Sequence, residues 1–473
     1  MDRKSDFSRQ TSSLGYATNE PPVTFDQSTE RKVVRKCDLR IVPIMSWLFF
    51  LAYMDRFNIS NASTMGLPKE LRLSSAKYNA TFYIFLVSYV LFPTPQNLML
   101  RHCRPSVWIS LNAFMLGIIT LCTGFVQTST QLLLCRFLLG IFECIIVPGC
   151  LYIMSMYFKP YELQRRFNFF FSFAPFAGAF GGLFAFACGK LGGTAGISGW
   201  RWIFIIEGII TTVCAVLAKP LLVDWPEKAR FLTDHERTLL AQRLTGPVYD
   251  EDSDVSTGLG STFSAVLRDW KFYLGILMFF PASNAGYAVS YFLPTIIQGL
   301  GNYDAVAVQV HTIPVWMTAW AMCLLTAFLS DKLQTRYPFL LLGITIGCVG
   351  YIILLVPGLA IGARYAATFF CASSFTMIQP MIMTWVVQNV SGYEKRAIVV
   401  GLTTGFGNCG GFVASNIFTV DEAPNYVRGL SVTLGLLACC GLMCTVYFAG
   451  LVWENRRMSR LGMGQEGRSR YGY

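Results

Sequence analysis

Four charged side chains lie within stretches of sequence that are otherwise apolar. Arg136 and Glu143 occupy one such stretch, seven residues apart, and Asp55 and Arg56 are adjacent in another. A charge at the centre of a membrane helix costs about 2.5 to 3.5 kcal/mol even on the lenient insertion scale, so such residues usually face a bundle interior or a water-filled path. The four residues therefore predict a binding site or a proton relay inside a membrane.

These side chains suit the binding of an organic anion together with a proton. The planar fork of Arg can hold both oxygens of a carboxylate and stays charged at any accessible pH, which makes Arg56 and Arg136 candidates for substrate binding. Glu143 is the candidate for proton coupling, with Asp55 as the second, because a substrate that competes for an Arg partner changes the proton affinity of the carboxylate. The alternative is a buried ion-pair network that only joins two helices.

The composition is that of an integral membrane protein. Of the 473 residues, 53% are hydrophobic and 14% are charged, whereas about a quarter are charged in soluble domains. A helical crossing needs about 20 mostly apolar residues, and the chain offers two groups of six. The sequence thus predicts an all-α membrane protein of twelve transmembrane helices in two six-helix halves, with spans at 41–62, 79–100, 106–127, 131–157, 167–190, 201–223, 271–298, 306–329, 338–358, 363–390, 396–419 and 426–453.

The basic residues predict the orientation of these spans. With both termini inside, 28 of the 38 Lys and Arg residues fall in cytoplasmic segments and seven in outside loops. This asymmetry favours cytoplasmic termini. Because the basic residues are spread among short loops and form no single patch, the net charge of +11 does not indicate a nucleic-acid partner.

The depth of the charged residues follows from the helical rise of about 1.5 Å per residue. Arg56 and Arg136 each lie roughly 22 Å above the cytoplasmic edge of a core about 30 Å thick. Glu143 lies on the same helix face as Arg136 and roughly 10 Å nearer the cytoplasm, with Gly140 leaving room between them. We expect two guanidinium groups above one carboxylate.

Polar side chains in three other spans are further candidates for substrate binding. They are Tyr89 in the second span, Tyr287 in the seventh and Asn408 in the eleventh. Asn408 lies in GFGNCGG, whose small residues allow helices to approach closely. Glu207, in GWRWIFIIEG, follows aromatic and basic residues typical of an interface belt, and we interpret it as a helix anchor.

The remaining segments divide the chain. Residues 224–270 form a cytoplasmic central loop that contains a short amphipathic helix opened by Thr233 or Asp234 and a flexible acidic linker, GPVYDEDSDVSTGLG. The loop separates an N-terminal half, 41–223, from a C-terminal half, 271–453. Two cytoplasmic tails complete the chain, of which the first is expected to be disordered: 1–40 and 454–473.

Two loops in equivalent places suggest that the halves are repeats. QNLMLRHCRP follows the second span and FLSDKLQTRYP follows the eighth. This arrangement resembles the major facilitator superfamily, whose repeated loop motif joins an acid at a helix end to basic residues. Asn97 stands where the first copy would carry an Asp. The fold has paired six-helix halves with a binding site near the membrane midplane.

Seven further segments narrow the resemblance. They are YMDRFNISNA, SYVLFPTPQNLML, RFLLGIFE, GWRWIFIIEG, SYFLPTIIQGLG, GNCGGFVASNIF and DEAPNYVRG, which occur in this order across both halves. They look like the anion:cation symporter family and, within it, the fungal allantoate permease-like group. Members carry ureides such as allantoate, vitamins such as nicotinate, pantothenate and biotin, and other carboxylates, usually with protons.

The resemblance also implies roles for particular residues. In relatives, the positions of Asp55, Arg56, Arg136 and Glu143 are associated with anion binding and proton coupling, and Tyr89 matches a position that faces the substrate. The expected protein is a proton-coupled symporter of a small organic anion in a fungal-type plasma membrane. Export of an acidic metabolite and a non-transporting nutrient sensor are the alternatives. No enzymatic activity, cofactor or metal is indicated by the sequence.

Overall fold

The computed structural model describes residues 27–244, 259–301, 303, 305–333, 335–390, 393–418, 422 and 425–460. The regular secondary structure of these residues is helical. From the N-terminus to the central segment the helices are α1 (Gln27–Thr64), α2 (Leu67–Glu70), α3 (Ser75–Leu91), α4 (Pro93–His102), α5 (Pro105–Thr123), α6 (Ser129–Glu143), α7 (Ile146–Tyr157), α8 (Pro160–Gly189), α9 (Gly199–Ala218), α10 (Asp234–Leu244) and α11 (Leu259–Leu267), with 3₁₀ turns at Thr194–Gly196 and Pro226–Lys228.

Seven more helices complete the bundle. They are α12 (Trp270–Gly301), α13 (Ala305–Leu333), α14 (Tyr337–Leu355), α15 (Ile361–Gln388), α16 (Tyr393–Gly407), α17 (Gly410–Ile417) and α18 (Val427–Arg460). Among the described residues, eleven helical stretches are long and apolar enough to cross a membrane. The remaining predicted span, 79–100, is divided between α3, with 17 residues, and α4, with 10, each shorter than the roughly 20 residues of a single crossing.

Three spans are interrupted, and the local sequence explains where. Between α3 and α4, Pro93 has no N–H to donate to the carbonyl four residues earlier, and Pro148 has the same effect after α6. The break between α16 and α17 lies in GFGNCGG, whose glycines have little helix propensity. The same glycines bring two helices together, because a Cβ atom on Gly410 would lie 2.2 Å from the carbonyl oxygen of Phe280. The close approach expected at this segment is confirmed.

The described part of the N-terminal tail is helical, which corrects the expectation of disorder over residues 1–40. Residues 27–40 extend the first spanning helix, and residues 1–26 lie outside the described part of the chain. Ion pairs hold this extension: Arg166 on α8 binds Asp38, Lys36 binds Glu236 on α10, and Arg243 lies 2.5 Å from Glu30. Charged residues of the predicted disordered tail therefore form ion pairs with other helices.

The central loop contains the expected capped helix. The Thr233 hydroxyl accepts a hydrogen bond from the Glu236 backbone N–H at 3.3 Å, and the Glu236 carboxylate accepts one from the Thr233 N–H at 2.9 Å, which is the capping-box pattern. The Lys36 ammonium and this N–H lower the pKa of Glu236. Of the predicted linker, 246–260, residues 246–258 lie outside the described residues, and the last two residues begin α11.

The last helix continues past the predicted end of the twelfth span. Residues 454–460 of the predicted C-terminal tail belong to α18, and residues 461–473 lie outside the described part. Glu454 anchors the extension, because its carboxylate lies 2.9 Å from the Lys271 ammonium and accepts a hydrogen bond from the Trp270 indole at 2.8 Å. We call the side of the bundle that carries the first residues of α1 and the last residues of α18 the terminal face.

The bundle is closed on both sides of its middle. Towards the face opposite the terminal face, the Ser60 hydroxyl donates to the Tyr291 carbonyl at 2.8 Å, and the Tyr83 hydroxyl donates to Asn416 at 2.6 Å. Towards the terminal face, α16 packs against α3, since a Cβ atom on Gly405 would lie 3.2 Å from a backbone oxygen of α3. These contacts join the two groups of six spans.

Gly140 is a point of close approach between α6 and α3. A Cβ atom there would lie 2.0 Å from the Ser88 hydroxyl and 2.5 Å from the Phe85 carbonyl oxygen. The hydroxyl can rotate away, but the carbonyl belongs to the backbone. The glycine thus makes room for the neighbouring helix, whereas its position in the sequence predicts room between Arg136 and Glu143.

We predict that Gly140→Ala destabilises the protein by about 1 to 3 kcal/mol, because overpacking displaces a backbone. The measurement is the unfolding temperature of the purified protein in detergent. Gly435→Ala on α18 is the matched control, since its Cβ atom would meet nothing within 4 Å. Equal unfolding temperatures for the two variants would contradict the assigned role of Gly140.

Candidate functional site

Asp55 and Arg136 form one buried ion pair between α1 and α6. The Arg136 Nη1 atom lies 3.4 Å from Asp55 Oδ2, and the Thr120 hydroxyl of α5 donates to Asp55 Oδ1 at 3.2 Å. The Arg136 guanidinium lies over the Phe204 ring, 5.7 Å from its centroid. Three helices and an aromatic ring of a fourth therefore enclose this pair.

Arg56 and Glu143 form a second buried pair between the same two helices. The Arg56 Nε atom donates to Glu143 Oε1, and both side chains are buried. The guanidinium carbon lies 4.4 Å from the ring centroid of Tyr89 and 4.7 Å from that of Tyr53. Desolvated cation–π contacts of this kind contribute about 2 kcal/mol each, so the rings stabilise the guanidinium in this position.

A chain of hydrogen bonds links this pair to the second half of the protein. Arg56 Nη1 donates to the Tyr287 hydroxyl of α12 at 3.4 Å, and this hydroxyl donates to Asn408 Oδ1 at 3.1 Å. The Asn408 amide donates in turn to the Thr404 carbonyl at 2.6 Å. These bonds thus connect α6, α1 and α12 to the break after α16, through Glu143, Arg56, Tyr287 and Asn408 in that order.

The structure brings together all seven residues singled out from the sequence, but pairs the charges differently from the expected layout. Glu143 bonds to Arg56 of the neighbouring helix, although Arg136 lies on its own helix face. Two side chains seven residues apart on one helix have Cα atoms about 10 Å apart. That distance is too long for them to form an ion pair with each other. Asp55 likewise bonds to Arg136 and not to the adjacent Arg56.

A small cavity is lined by both Arg56 and Arg136. Its volume is about 10 Å³, and aromatic rings of Phe82, Phe85 and Tyr291 line it together with Arg56 and Arg136. Such a space holds about one water molecule. A molecule larger than water therefore needs a more open arrangement of the same residues.

The aromatic rings of this lining were not among the residues singled out from the sequence. The helical period offered a signal, since Tyr291 follows Tyr287 by four residues and Phe85 precedes Tyr89 by four, and such pairs share a helix face. The Phe residues of α8 pack elsewhere, as Phe170 does against Phe49 of α1, with ring centroids 4.5 Å apart.

Three of the site residues lie at or near helix interruptions. Glu143 is the last residue of α6, Tyr89 lies near the end of α3, and Asn408 lies in the break between α16 and α17. Interrupted helices near the middle of a membrane bundle are typical of binding sites in secondary transporters, because backbone groups freed at the break can contact a ligand or ion.

The interface belt near the start of α9 is anchored by Glu70, which corrects the role given to Glu207. The Glu70 carboxylate accepts hydrogen bonds from the Trp200 indole at 2.6 Å and from Arg201 Nε at 3.0 Å. Glu207, two turns further along α9, is 0% exposed, and its two oxygens have no hydrogen-bond partner among the described residues. Glu207 lies on the same buried face of α9 as Trp200, but about 10 Å further along the helix and away from the belt.

The fold and this site define a membrane transporter: a bundle of membrane-spanning helices with a charged, closed site between its halves. The sequence pattern of the Major Facilitator Superfamily matches residues 45–415. The chain belongs to the Major Facilitator Superfamily, and it is a multi-pass membrane transporter of the kind that binds small-molecule substrates.

Curated relatives from fungi match along most of the chain. The MFS-type transporter cnsO of Penicillium expansum is 32% identical over 457 residues, which cover 93% of this chain and 87% of that protein. The high-affinity nicotinic acid transporter of Saccharomyces cerevisiae is 29% identical over 440 residues, covering 92% and 80%.

Solved structures of distant sequences share the fold. A bacterial homologue of the human lysosomal transporter Spinster, in an inward-facing and unoccupied conformation, aligns with a TM-score of 0.61 and 16% identity over 90% of this chain and 97% of that one. The fucose:proton symporter FucP of E. coli aligns with a TM-score of 0.61 and 12% identity over 86% and 99%.

Proposed function

We propose that this chain is a proton-coupled symporter of a small organic anion and belongs to the anion:cation symporter family, in its fungal allantoate permease-like group. The substrate is a carboxylate, such as a vitamin of the nicotinate, pantothenate or biotin kind or a ureide of the allantoate kind. The observation that carries the proposal is the presence of two buried guanidinium groups, Arg56 and Arg136, each paired with a buried carboxylate.

Arg56 has the surroundings expected of an anion-binding residue. Its planar guanidinium lies over two aromatic rings that stabilise its position, and such a fork suits bidentate binding of a carboxylate. Tyr287 and Asn408 connect that fork to the other half of the bundle, so a substrate at Arg56 would contact both halves. We assign Arg56, Arg136, Tyr89, Tyr287 and Asn408 to substrate binding.

The two ion pairs supply a route to coupling. In the closed arrangement each guanidinium is neutralised by a carboxylate of the protein. A substrate carboxylate that binds Arg56 displaces Glu143, which then lies buried without a counter-ion, and a carboxyl group in that position binds a proton because burial disfavours its charge. We assign proton coupling to Glu143, with Asp55 as the second candidate, and the anion and proton then cross together.

Transport in this proposal proceeds by rocking of the N-terminal half, 41–223, against the C-terminal half, 271–453. Each opening breaks one set of contacts between the halves, either near Tyr83 and Asn416 or near α16 and α3. The bond between Arg56 and Tyr287 also crosses between the halves, so its strength changes with each opening. Binding of the substrate across this bond would favour closure.

We further propose that the protein lies in the plasma membrane with both termini in the cytoplasm. The excess of Lys and Arg in the loops on the terminal face supports the orientation. The similarity to a high-affinity nicotinic acid transporter supports an organic anion as the substrate, because nicotinic acid carries a carboxylate at neutral pH.

The test of the substrate class is uptake of labelled carboxylates by cells that express the full chain. The panel contains nicotinate, pantothenate, biotin and allantoate, with an uncharged amide, nicotinamide, as the control. We expect saturable uptake of at least one acid and none of the amide. Uptake of the amide at the same rate as its acid would contradict recognition of a carboxylate.

We predict that uptake of the identified acid rises as the external pH falls and collapses when a protonophore abolishes the proton gradient. The sign follows from the coupling residues, because a lower external pH favours the protonated carboxyl group on the side from which the anion binds. The measurement is initial uptake rate against external pH at constant membrane potential. Uptake indifferent to both treatments would point to a uniporter or an exchanger.

A further inference from the structure

Two buried groups of opposite charge are left unsatisfied beside the site. Glu207 has no hydrogen-bond partner for either oxygen, and Arg136 has none for Nε and Nη2 among the described residues. Buried polar atoms are nearly always hydrogen-bonded, and unsatisfied ones need a physical account. The single bond from Arg136 to Asp55, at 3.4 Å, leaves most of the guanidinium's donor capacity unused.

The two groups lie at one depth. Arg136 is seven residues from the start of α6, about 10 Å along the helix, and Glu207 is eight residues from the start of α9, about 12 Å along it. Both helices begin on the face opposite the terminal face. Phe204, one turn before Glu207 on the same side of α9, already contacts the Arg136 guanidinium, so Glu207 faces the same group of residues.

The packing of α9 keeps Glu207 away from water and lipid. Next to it, a Cβ atom on Gly208 would lie 2.4 Å from the Leu121 backbone nitrogen of α5, so the two backbones are nearly in contact. The helix α5 carries no Asp, Glu, Lys, Arg or His. The charged groups that act on Glu207 are Asp55 of α1 and Arg136 and Glu143 of α6, and Cys188 of α8 is the titratable group on that side.

The charge of the cluster depends on Glu207. Arg56 and Arg136 balance Asp55 and Glu143, so an ionised Glu207 would leave one uncompensated negative charge in a desolvated site. An unpaired buried charge is far more costly than a buried neutral acid. With its proton bound, Glu207 makes the closed cluster neutral.

We propose that Glu207 is a further proton-binding residue of the transporter, protonated while Asp55 occupies Arg136 and serving as the counter-ion of Arg136 when Asp55 is withdrawn. The inference rests on the proposed function in one respect: the cluster exchanges protons during transport. In the second state the proton passes from Glu207 to Asp55, whose neutral carboxyl group releases Arg136. The Glu207 carboxylate then binds the two guanidinium nitrogens that are free in the closed structure.

Infrared spectroscopy tests the inference without a substrate. The purified full-length protein in lipid nanodiscs is measured at neutral pH in the region of the protonated carboxyl C=O stretch. We expect a band in the wild type that disappears in Glu207→Gln, which keeps the side-chain volume. Glu207→Asp keeps the acid and should shift the band, which distinguishes loss of the proton from loss of the fold.

Two further variants separate proton binding from a purely structural role. In Asp55→Asn, Arg136 loses its carboxylate partner, so Glu207 should ionise and its band should weaken or vanish. In Glu143→Gln, whose partner is Arg56, the Glu207 band should remain. A band that survives in Glu207→Gln, or one that is unchanged in Asp55→Asn, would overturn the inference.

The same experiment keeps this inference apart from the proposed function. If the band behaves as expected but uptake is independent of the proton gradient, symport fails and proton binding by Glu207 stands. If uptake is driven by protons but the wild type shows no band assignable to Glu207, this inference fails and the symporter stands.

Discussion

Replacing Glu143 with Gln is expected to abolish accumulation of the substrate against its gradient while leaving binding and exchange across the membrane. The substitution removes the titratable group and keeps its volume and hydrogen-bonding capacity. Arg56 then keeps a neutral partner, but the displaced residue can no longer take up a proton, so anion binding and proton uptake are uncoupled. The measurements are accumulation and counterflow in proteoliposomes with an imposed proton gradient.

Asp55→Asn is the necessary companion of this variant, because Asp55 forms the other ion pair of the site. If Glu143→Gln still accumulates substrate and Asp55→Asn does not, the coupling residue is Asp55, and Glu143 only holds Arg56. If both variants accumulate substrate, neither carboxylate is indispensable and the coupling scheme is wrong. Loss of counterflow in Glu143→Gln would show instead that the substitution damages binding.

Arg56→Lys and Arg136→Lys are expected to weaken apparent substrate affinity by at least about tenfold each, equivalent to about 1.4 kcal/mol. Lys keeps the charge but loses the planar fork. The loss should be larger at Arg56, because its guanidinium also lies over aromatic rings and donates to Tyr287. The measurement is the concentration dependence of initial uptake, normalised to the amount of protein in the membrane.

Arg428→Lys provides the matched control for both variants, because Arg428 is exposed at the start of α18 and far from the site. It should transport with the affinity of the wild type. Unchanged affinity in Arg136→Lys would remove Arg136 from the anion-binding group and leave it as a partner of Asp55. Unchanged affinity in Arg56→Lys would contradict the assignment of Arg56 to substrate binding, on which the proposed function depends.

The sequence by itself determined the class of protein and the residues of its candidate site. Hydropathy establishes the spans because every apolar stretch of sufficient length has to cross the membrane as a helix, whatever its neighbours. The charged residues within those spans were identifiable for the same reason, since lipid does not tolerate them without a function or a partner. Tyr89, Tyr287 and Asn408 were found as polar groups in apolar helices, and the structure places all of them at Arg56 or one hydrogen bond beyond it.

Only the tertiary structure decided which charge meets which. Depth arithmetic places residues along one helix, but the partner of Glu143 depends on how far α1 is rotated and how closely it packs, and these depend on contacts between side chains distant in sequence. The same limit explains Gly140, whose neighbour α3 is not visible from its own helix. Glu207 followed Trp and Arg residues typical of the interface, yet two turns of helix place it about 10 Å further into the bundle, on the same buried face as Trp200. The residue that anchors the belt is Glu70, more than a hundred positions earlier in the chain.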